Sequence, residues 1–348
     1  MERKKFVGIT EISKLINKSS SAVINWRNRD KNFPEAYEEL TSGPIFELEK
    51  IKKYLKRRKY KMATILSTIN LKGGVGKTTT TVALAEFLSC EKNKKVLVID
   101  LDPQTSATNL LIGEEKWKKL NDNEYTLARL FKDALDPENP KFNLEKTLQT
   151  QTSNVNDVTS VDLIPSSLDL IDIQDKIASA PQGRFYAQNP TDILKRAIRS
   201  IEDNYDYIII DCPPNMGVIT LNGLRISDGY IIPTVPDYLS TYGIPQIVTR
   251  VEQFSNAIGE KIIPYGILAT MYRGNSTVHR NVLKQLKNFK DAKLFDSIIP
   301  LNNQIGASAE LSTNYNTLRQ KYGYQGQHKV YLDFVEELLE RIDEEVYA

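Results

Sequence analysis

Cysteine is nearly absent: Cys90 and Cys212 are the only two in 348 residues. They stand far apart and outside any CxxC or Cys/His pattern, which removes the ligands for a disulfide framework, a zinc site or a cysteine-held cluster. Long apolar runs are missing too. The longest, such as Tyr207 to Ile210 and Ile262 to Ala269, fall well short of the roughly 18 residues a membrane helix needs. The opening Met1-Glu2-Arg3-Lys4-Lys5 is charged and leads into no apolar signal segment. A cytoplasmic protein without membrane attachment is therefore expected. Hydrophobic residues at 41% and charged residues at 26% are ordinary for a globular chain, and the length suits one large domain plus a small one.

The formal net charge of +2 hides an asymmetry. Residues 1–61 hold 16 Lys and Arg against 8 Asp and Glu, whereas the remaining 287 hold 30 against 36. A basic module is joined to an acidic one, and such a split points to nucleic-acid contact in the small part.

In that part, Thr10 is expected to cap a short helix carrying Ile12, Leu15 and Ile16, after which Ser19 or Ser20 caps a second helix running to about Arg29. Val23 and Trp26 face inward there, leaving Ser21, Asn25, Arg27 and Arg29 for solvent or for the base edges and phosphates of DNA. Phe33-Pro34 ends the second helix, Gly43 to Leu48 reads as a strand or wing, and a third helix is expected over Glu49 to Arg58. The order resembles the winged helix-turn-helix of MerR and excisionase-like proteins. The basic run Lys56 to Lys61 closes the module as a linker, giving expected domains of 1–61 and 62–348.

From residue 62 onward short apolar runs alternate with helical segments. Candidate strands are Ala63 to Ile69, Lys95 to Leu101, Val161 to Pro165, Tyr207 to Asp211, Tyr230 to Pro233, Ile262 to Thr270 and Phe295 to Pro300. This is an α/β pattern, a doubly wound and mostly parallel sheet covered on both faces, with ligands expected at the carboxyl ends of the strands. Residues 113–160 are polar and poorly patterned, and Asn139 to Asp157 reads as a surface insertion.

After the first of these strands stands Leu71-Lys72-Gly73-Gly74-Val75-Gly76-Lys77-Thr78-Thr79, followed by a helical pattern. Strand, glycine loop and helix together make a phosphate-binding P-loop: glycines let main-chain N–H groups converge on phosphate oxygens, Lys77 reaches the β- and γ-phosphates, and Thr78 puts its hydroxyl on Mg²⁺. Leu71 occupies the usual first glycine position, and an extra lysine, Lys72, opens the loop. The second strand ends in Asp100-Leu101-Asp102-Pro103-Gln104, whose two acids share a face where the chain is extended. The fourth ends in Asp211-Cys212-Pro213-Pro214, an apolar run closed by an acid, as in a magnesium-holding Walker B strand.

These motifs, with Leu163-Ile164-Pro165-Ser166-Ser167, Thr220-Leu221-Asn222 and Ile299-Pro300, resemble in order and spacing those of the ParA/MinD ATPases with a deviant Walker A loop. The fit is best to the ParA branch, the plasmid and chromosome partition ATPases. The resemblance implies an ATP-dependent homodimer in which Lys72 reaches the partner's ATP, an Asp102 that positions the attacking water, an Asp100 that supports the Mg²⁺ shell or the loop, and Asp211 as the Walker B acid. It further implies DNA segregation with a ParB-type centromere-binding partner, association with the nucleoid, and repression of the chain's own operon through the N-terminal module. The alternative is a transcription or replication regulator that uses ATP as a signal, with little turnover.

Nonspecific DNA contact is expected from a basic stripe, Arg280, Lys284 and Lys287, with Arg273 in the preceding loop and Val282, Leu283, Leu286 and Phe289 on the opposite face. One segment departs from the family: where many relatives carry arginines in I-P-R-N-V-R-L-x-E-A-P, this chain reads Ile299-Pro300-Leu301-Asn302-Asn303-Gln304. Pro300 with Asn302 or Asn303 is left to line the adenine pocket. A membrane-cycling MinD-like role would need a basic amphipathic C-terminal helix. Val330 to Tyr347 is acidic instead, and its Leu332, Val335, Leu338 and Leu339 are expected to pack on the sheet. The nitrogenase-type iron protein shares the loop but needs cluster cysteines that this chain lacks.

Overall fold

The computed structural model describes residues 5–15, 20–29, 33–51, 54, 63–179, 189–303, 313–324 and 326–347. The chain forms two compact units, Met1–Met62 and Ala63–Ala348.

In the small unit, β1 (Phe6–Gly8) leads directly into α1 (Ile9–Leu15), followed by α2 (Ser20–Arg29) and a hairpin of β2 (Glu38–Leu40) and β3 (Gly43–Glu47). The three strands make an antiparallel sheet in the order β1-β3-β2. Thr10 is not the helix cap. The helix begins one residue earlier, and Glu11 reaches back to accept the Gly8 N–H at 3.0 Å, so an acid in the first turn satisfies the orphan donor. Ser20 is already helical, while Ile16, Ser19 and the Trp26 side chain fall outside the described residues. The wing is larger than expected, since β1 is too short, and β2 too short and too polar, to read as a strand until β3 pairs with both. Ile12, Val23, Phe33, Phe46, Ile51 and Tyr54 form a small core, with Phe33 edge-on to Phe46 and Tyr54 at centroid distances of 5.4 and 4.7 Å. Residues 48–51 are helical; most of the remainder of the expected third helix lies outside the described residues.

The large unit holds a seven-stranded sheet with every neighbouring pair parallel. Its strands are β4 (Thr64–Thr68), β5 (Val96–Asp100), β6 (Val161–Ile164), β7 (Tyr207–Asp211), β8 (Gly229–Thr234), β9 (Ile263–Tyr272) and β10 (Leu294–Pro300), in the order β10-β9-β8-β4-β7-β5-β6. All seven expected strands are present. Side chains alternate between two cores: Leu97, Ile99, Ile208 and Ile210 enter one, while Val96, Val98 and Ile209 enter the other. Both faces are therefore covered, which explains why these strands read as continuous apolar runs. The C-terminal helix Gln327–Tyr347 buries Val335 and Leu338 in the second core, with Leu332 and Leu339 packed at its margin, as the pattern predicts.

Segment 139–157 differs from the expected surface insertion. Val155 is buried in the second core, and Gln149 exchanges backbone bonds with Leu163 at 2.8 and 2.7 Å. Its polar side chains bond locally or to distant backbone, as Asn154 does to the Thr313 carbonyl at 2.9 Å, so a polar sequence here still makes packed structure.

The first strand of the sheet, β4, lies at its centre between β7 and β8. The chain goes from β4 to one side and returns through β7 to the other, so the carboxyl end of β4 is the crevice where such sheets take ligands.

Candidate nucleotide site

The loop after β4 is built on a buried asparagine. Asn70 donates to the Pro233 carbonyl at 2.8 Å and to Thr234 Oγ1 at 3.2 Å, and its own Oδ1 accepts the Lys72 N–H at 2.9 Å. Gly74 and Gly76 then take φ of 70° and 83°, which side chains resist. No heavy atom lies within 4 Å of where a Cβ on Gly73 or Gly74 would project, so the loop opens on free space rather than on its own packing. Behind it Val75 is buried and its carbonyl accepts the Thr270 hydroxyl from β9 at 2.8 Å.

The helix Lys77–Lys92 starts at the loop. Lys77 is buried, and its Nζ donates to the Lys72 carbonyl at 3.1 Å. Burial lowers its pKa, while Asp211 and Asp102 pull the other way, so an anion arriving at the loop would meet a poorly solvated ammonium. Thr78 donates to Asp211 Oδ2 at 2.7 Å, and half-buried Thr79 continues the first turn.

Three acids converge here because their strands are neighbours. Asp211 ends β7 in register with Thr68 on one side and Asp100 on the other. Burial pushes its pKa up to about 6, opposed by the Thr78 hydroxyl, reinforced by Asp102 and opposed again by Lys77 and Thr81. Asp100 is fully buried and raised well above the ordinary range, first by burial and then by Asp211. Its Oδ1 accepts the Asp102 N–H at 3.0 Å and its Oδ2 accepts the Thr108 N–H and hydroxyl at 2.9 and 2.7 Å. These contacts tie Asp100 to the turn and helix that follow β5. Asp102 is also buried, and its Oδ1 accepts the Gln104 N–H at 3.0 Å.

Lys72 behaves differently from Lys77. Its side chain is 44% exposed, and its Nζ meets Ser240 Oγ at 2.8 Å and Asp237 Oδ2 at 3.4 Å. Asp237 caps the short helix Tyr238–Thr241 by accepting the Ser240 N–H at 2.7 Å. Burial would raise the Asp237 pKa, but the Ser240 amide and hydroxyl together with Lys72 hold it below the ordinary range.

Pro300 ends β10 and half-buried Asn302 follows it, at the same edge of the sheet but one strand beyond β9; residues 304–312 lie outside the described set. Sequence reasoning missed Asn70, Thr270, Asp237 and Ser240. Only Asp237 left a signal, a capping acid just after a strand.

The expected DNA contacts are spread over both units. On α2 the Arg27 guanidinium pairs with Glu39 of the hairpin and lies 5.8 Å from the Phe46 ring centroid; the side chains of Ser21, Asn25 and Arg29 are outside the described residues. In the large unit the helix Thr277–Leu286 buries Val282, Leu283 and Leu286 and leaves Arg280 and Lys284 exposed, with Arg273 before it and Lys287 just after. Phe289 packs at the margin of the first core. Arg280 is tied to the Gly274 carbonyl at 2.7 Å and to Thr277 Oγ1 at 3.1 Å. No helix among the described residues is long and apolar enough to cross a membrane.

A family model described as an AAA domain matches residues 63–263. The sporulation initiation inhibitor protein Soj of Bacillus subtilis is 31% identical over 241 residues, covering 69% of this chain and 85% of that protein. The chromosome-partitioning ATPase Soj of Thermus thermophilus is 28% identical over 281 residues, covering 80% and 96%. Among solved structures, cobyrinic acid a,c-diamide synthase from Mycobacterium smegmatis with bound ADP and magnesium superposes with a TM-score of 0.61 at 26% identity, over 81% of this chain and 96% of that one. A glycine loop with an extra lysine, acids at the ends of the two neighbouring strands and these relatives agree: the chain belongs to the ParA/MinD family of deviant Walker A ATPases, in its ParA branch of partition ATPases.

Proposed function

We propose that this partition ATPase binds ATP, dimerises through it, holds DNA in the dimeric state and releases it when a ParB-type centromere-binding partner stimulates hydrolysis. The residues present fit ATP and Mg²⁺. Gly73 and Gly74 leave open space over the loop, Lys77 is buried beside it, and the Thr78 hydroxyl and Asp211 carboxylate already meet at 2.7 Å. Thr78 and Asp211 would hold the Mg²⁺, whose contribution is to neutralise charge on the phosphate oxygens.

The chain's own groups do the rest. Loop amides and Lys77 bind and orient the phosphates, Asp102 orients the attacking water, and Lys72 reaches into the partner's site to offset the charge that develops there. Lys72 is the observation that carries this reading. It stands at the mouth of an otherwise complete loop, half-exposed and held at its ammonium by one hydroxyl and one carboxylate, which suits a group that leaves its own chain to serve the dimer. The exposed cations at Arg273, Lys284 and Lys287 supply phosphate contacts. The basic N-terminal unit adds operator binding, and with it repression of the chain's own operon.

Steady-state ATP hydrolysis measured alone, with nonspecific DNA, and with DNA plus the centromere-binding partner tests the whole scheme. Stepwise stimulation is expected. A rate indifferent to both additions, alongside ATP-dependent protection of an operator, would instead identify a regulator.

A further inference from the structure

Four buried residues near the nucleotide loop close a ring of hydrogen bonds. The Asp102 N–H donates to Asp100 Oδ1 at 3.0 Å, the Thr108 hydroxyl donates to Asp100 Oδ2 at 2.7 Å, the Ser166 N–H donates to Thr108 Oγ1 at 3.0 Å, and the Ser166 hydroxyl donates to the Asp102 carbonyl at 2.7 Å. The Asp102 carbonyl also accepts the Thr105 N–H at 2.9 Å. The ring joins the end of β5, the helix Ser106–Ile112 and the residue two past the end of β6, and its members range from 0 to 7% exposed. Both backbone groups of Asp102 are thus engaged, the N–H by Asp100 at the end of β5 and the carbonyl by Ser166 beyond β6. Only its side-chain torsions remain free, and one of its carboxylate oxygens accepts the Gln104 N–H.

We infer that Thr108 and Ser166 are positioning residues for hydrolysis: through the closed ring they hold the Asp102 backbone so that its carboxylate meets the attacking water at the right distance. The inference rests on the reading of Asp102 as the water-orienting group. A charged group presented on a mobile turn would sample many positions, and misplacement on the order of 1 Å can cost about 100-fold in rate. The ring removes that freedom where solvent cannot compete for the bonds. Neither Thr108 nor Ser166 needs to touch ATP for this effect.

The test uses the full-length protein with ATP, Mg²⁺ and DNA, and compares Thr108→Val, Ser166→Ala, Thr108→Ser and Asp102→Ala. The expected result for Thr108→Val and Ser166→Ala is a fall in kcat of about 10- to 100-fold, with KM and the ATP concentration at half-dimerisation within about twofold. Thr108→Ser, which keeps the hydroxyl, should return kcat to within about threefold of the parent. If Thr108→Val fails to fold, Ser166→Ala removes a single hydroxyl and carries the same expectation. Unchanged kcat in Ser166→Ala beside an inactive Asp102→Ala overturns the inference alone. So does a loss of kcat, KM and melting temperature together that Thr108→Ser does not rescue. Turnover that survives Asp102→Ala overturns the role of Asp102 and the inference with it.

Discussion

At the floor of the nucleotide site Asp100, Asp102, Thr108 and Ser166 lie out of solvent and bond to one another in a closed ring. At its rim Lys72 is 44% exposed and rests on one hydroxyl and one carboxylate 3.4 Å away. Breaking a buried bond at the floor leaves an unsatisfied polar group and costs about 1–3 kcal/mol, whereas an exposed ion pair like that at the rim is worth about 1 kcal/mol or less. The difference separates parts that must stay still from a part that must move. On the proposed reading, water positioning by Asp102 tolerates little displacement, whereas a lysine serving the partner's ATP would have to leave its own chain.

The largest effect expected is at the floor. Thr78→Ala removes the hydroxyl that meets Asp211 and would meet Mg²⁺, and steady-state hydrolysis should fall by roughly 100-fold or more. A variant retaining most of its rate would break the assignment of Thr78 to the metal.

The second prediction concerns what the floor costs the fold. The folded-state pKa of Asp211 is raised to about 6 from 3.8. The protonated form is thus favoured by folding, and its stabilisation is fully present below about pH 4 and lost as the pH rises through about 6. At pH 7.5 the buried carboxylate is a net burden, so Asp211→Asn without nucleotide should be more stable by roughly 1–3 kcal/mol. That advantage should shrink at pH 5, and denaturant unfolding at the two pH values checks it. An Asn variant less stable at pH 7.5 would mean that the threonine bonds outweigh the burial.

At the rim, Asp237→Asn should loosen Lys72 and lower the ATP concentration for half-dimerisation by about two- to fivefold, in keeping with an exposed pair. Light scattering across an ATP titration reads it. A shift to higher concentration would show that Asp237 prepares the lysine instead of restraining it. The smallest effect belongs to the basic helix: Lys284→Ala should reduce the slope of log affinity against log salt by about 0.9 for nonspecific DNA, and an unchanged slope removes Lys284 from the interface.

The strand runs and the glycine loop were legible because local chemistry determines them. Two faces of cover made the strands uniformly apolar, and Gly74 and Gly76 mark positive φ. The supports of the loop were not legible. Asn70, Thr270 and Ser240 take part in bonds between segments far apart in the chain that meet only after folding, and no spacing in the chain encodes that meeting. The Thr108–Ser166 bond joins residues 58 apart in sequence for the same reason. In the small unit Arg27 reads as a free surface cation until β2 brings Glu39 to it.

The central claim is that Lys72 gives this ATPase its dimer while Asp102 gives it turnover. Multi-angle light scattering of the full-length protein with ATP and Mg²⁺ tests that division directly when Lys72→Ala and Asp102→Ala are run beside the parent. The prediction is a monomer for Lys72→Ala and a lasting dimer for Asp102→Ala. A dimer in Lys72→Ala, or a monomer in Asp102→Ala, would contradict it.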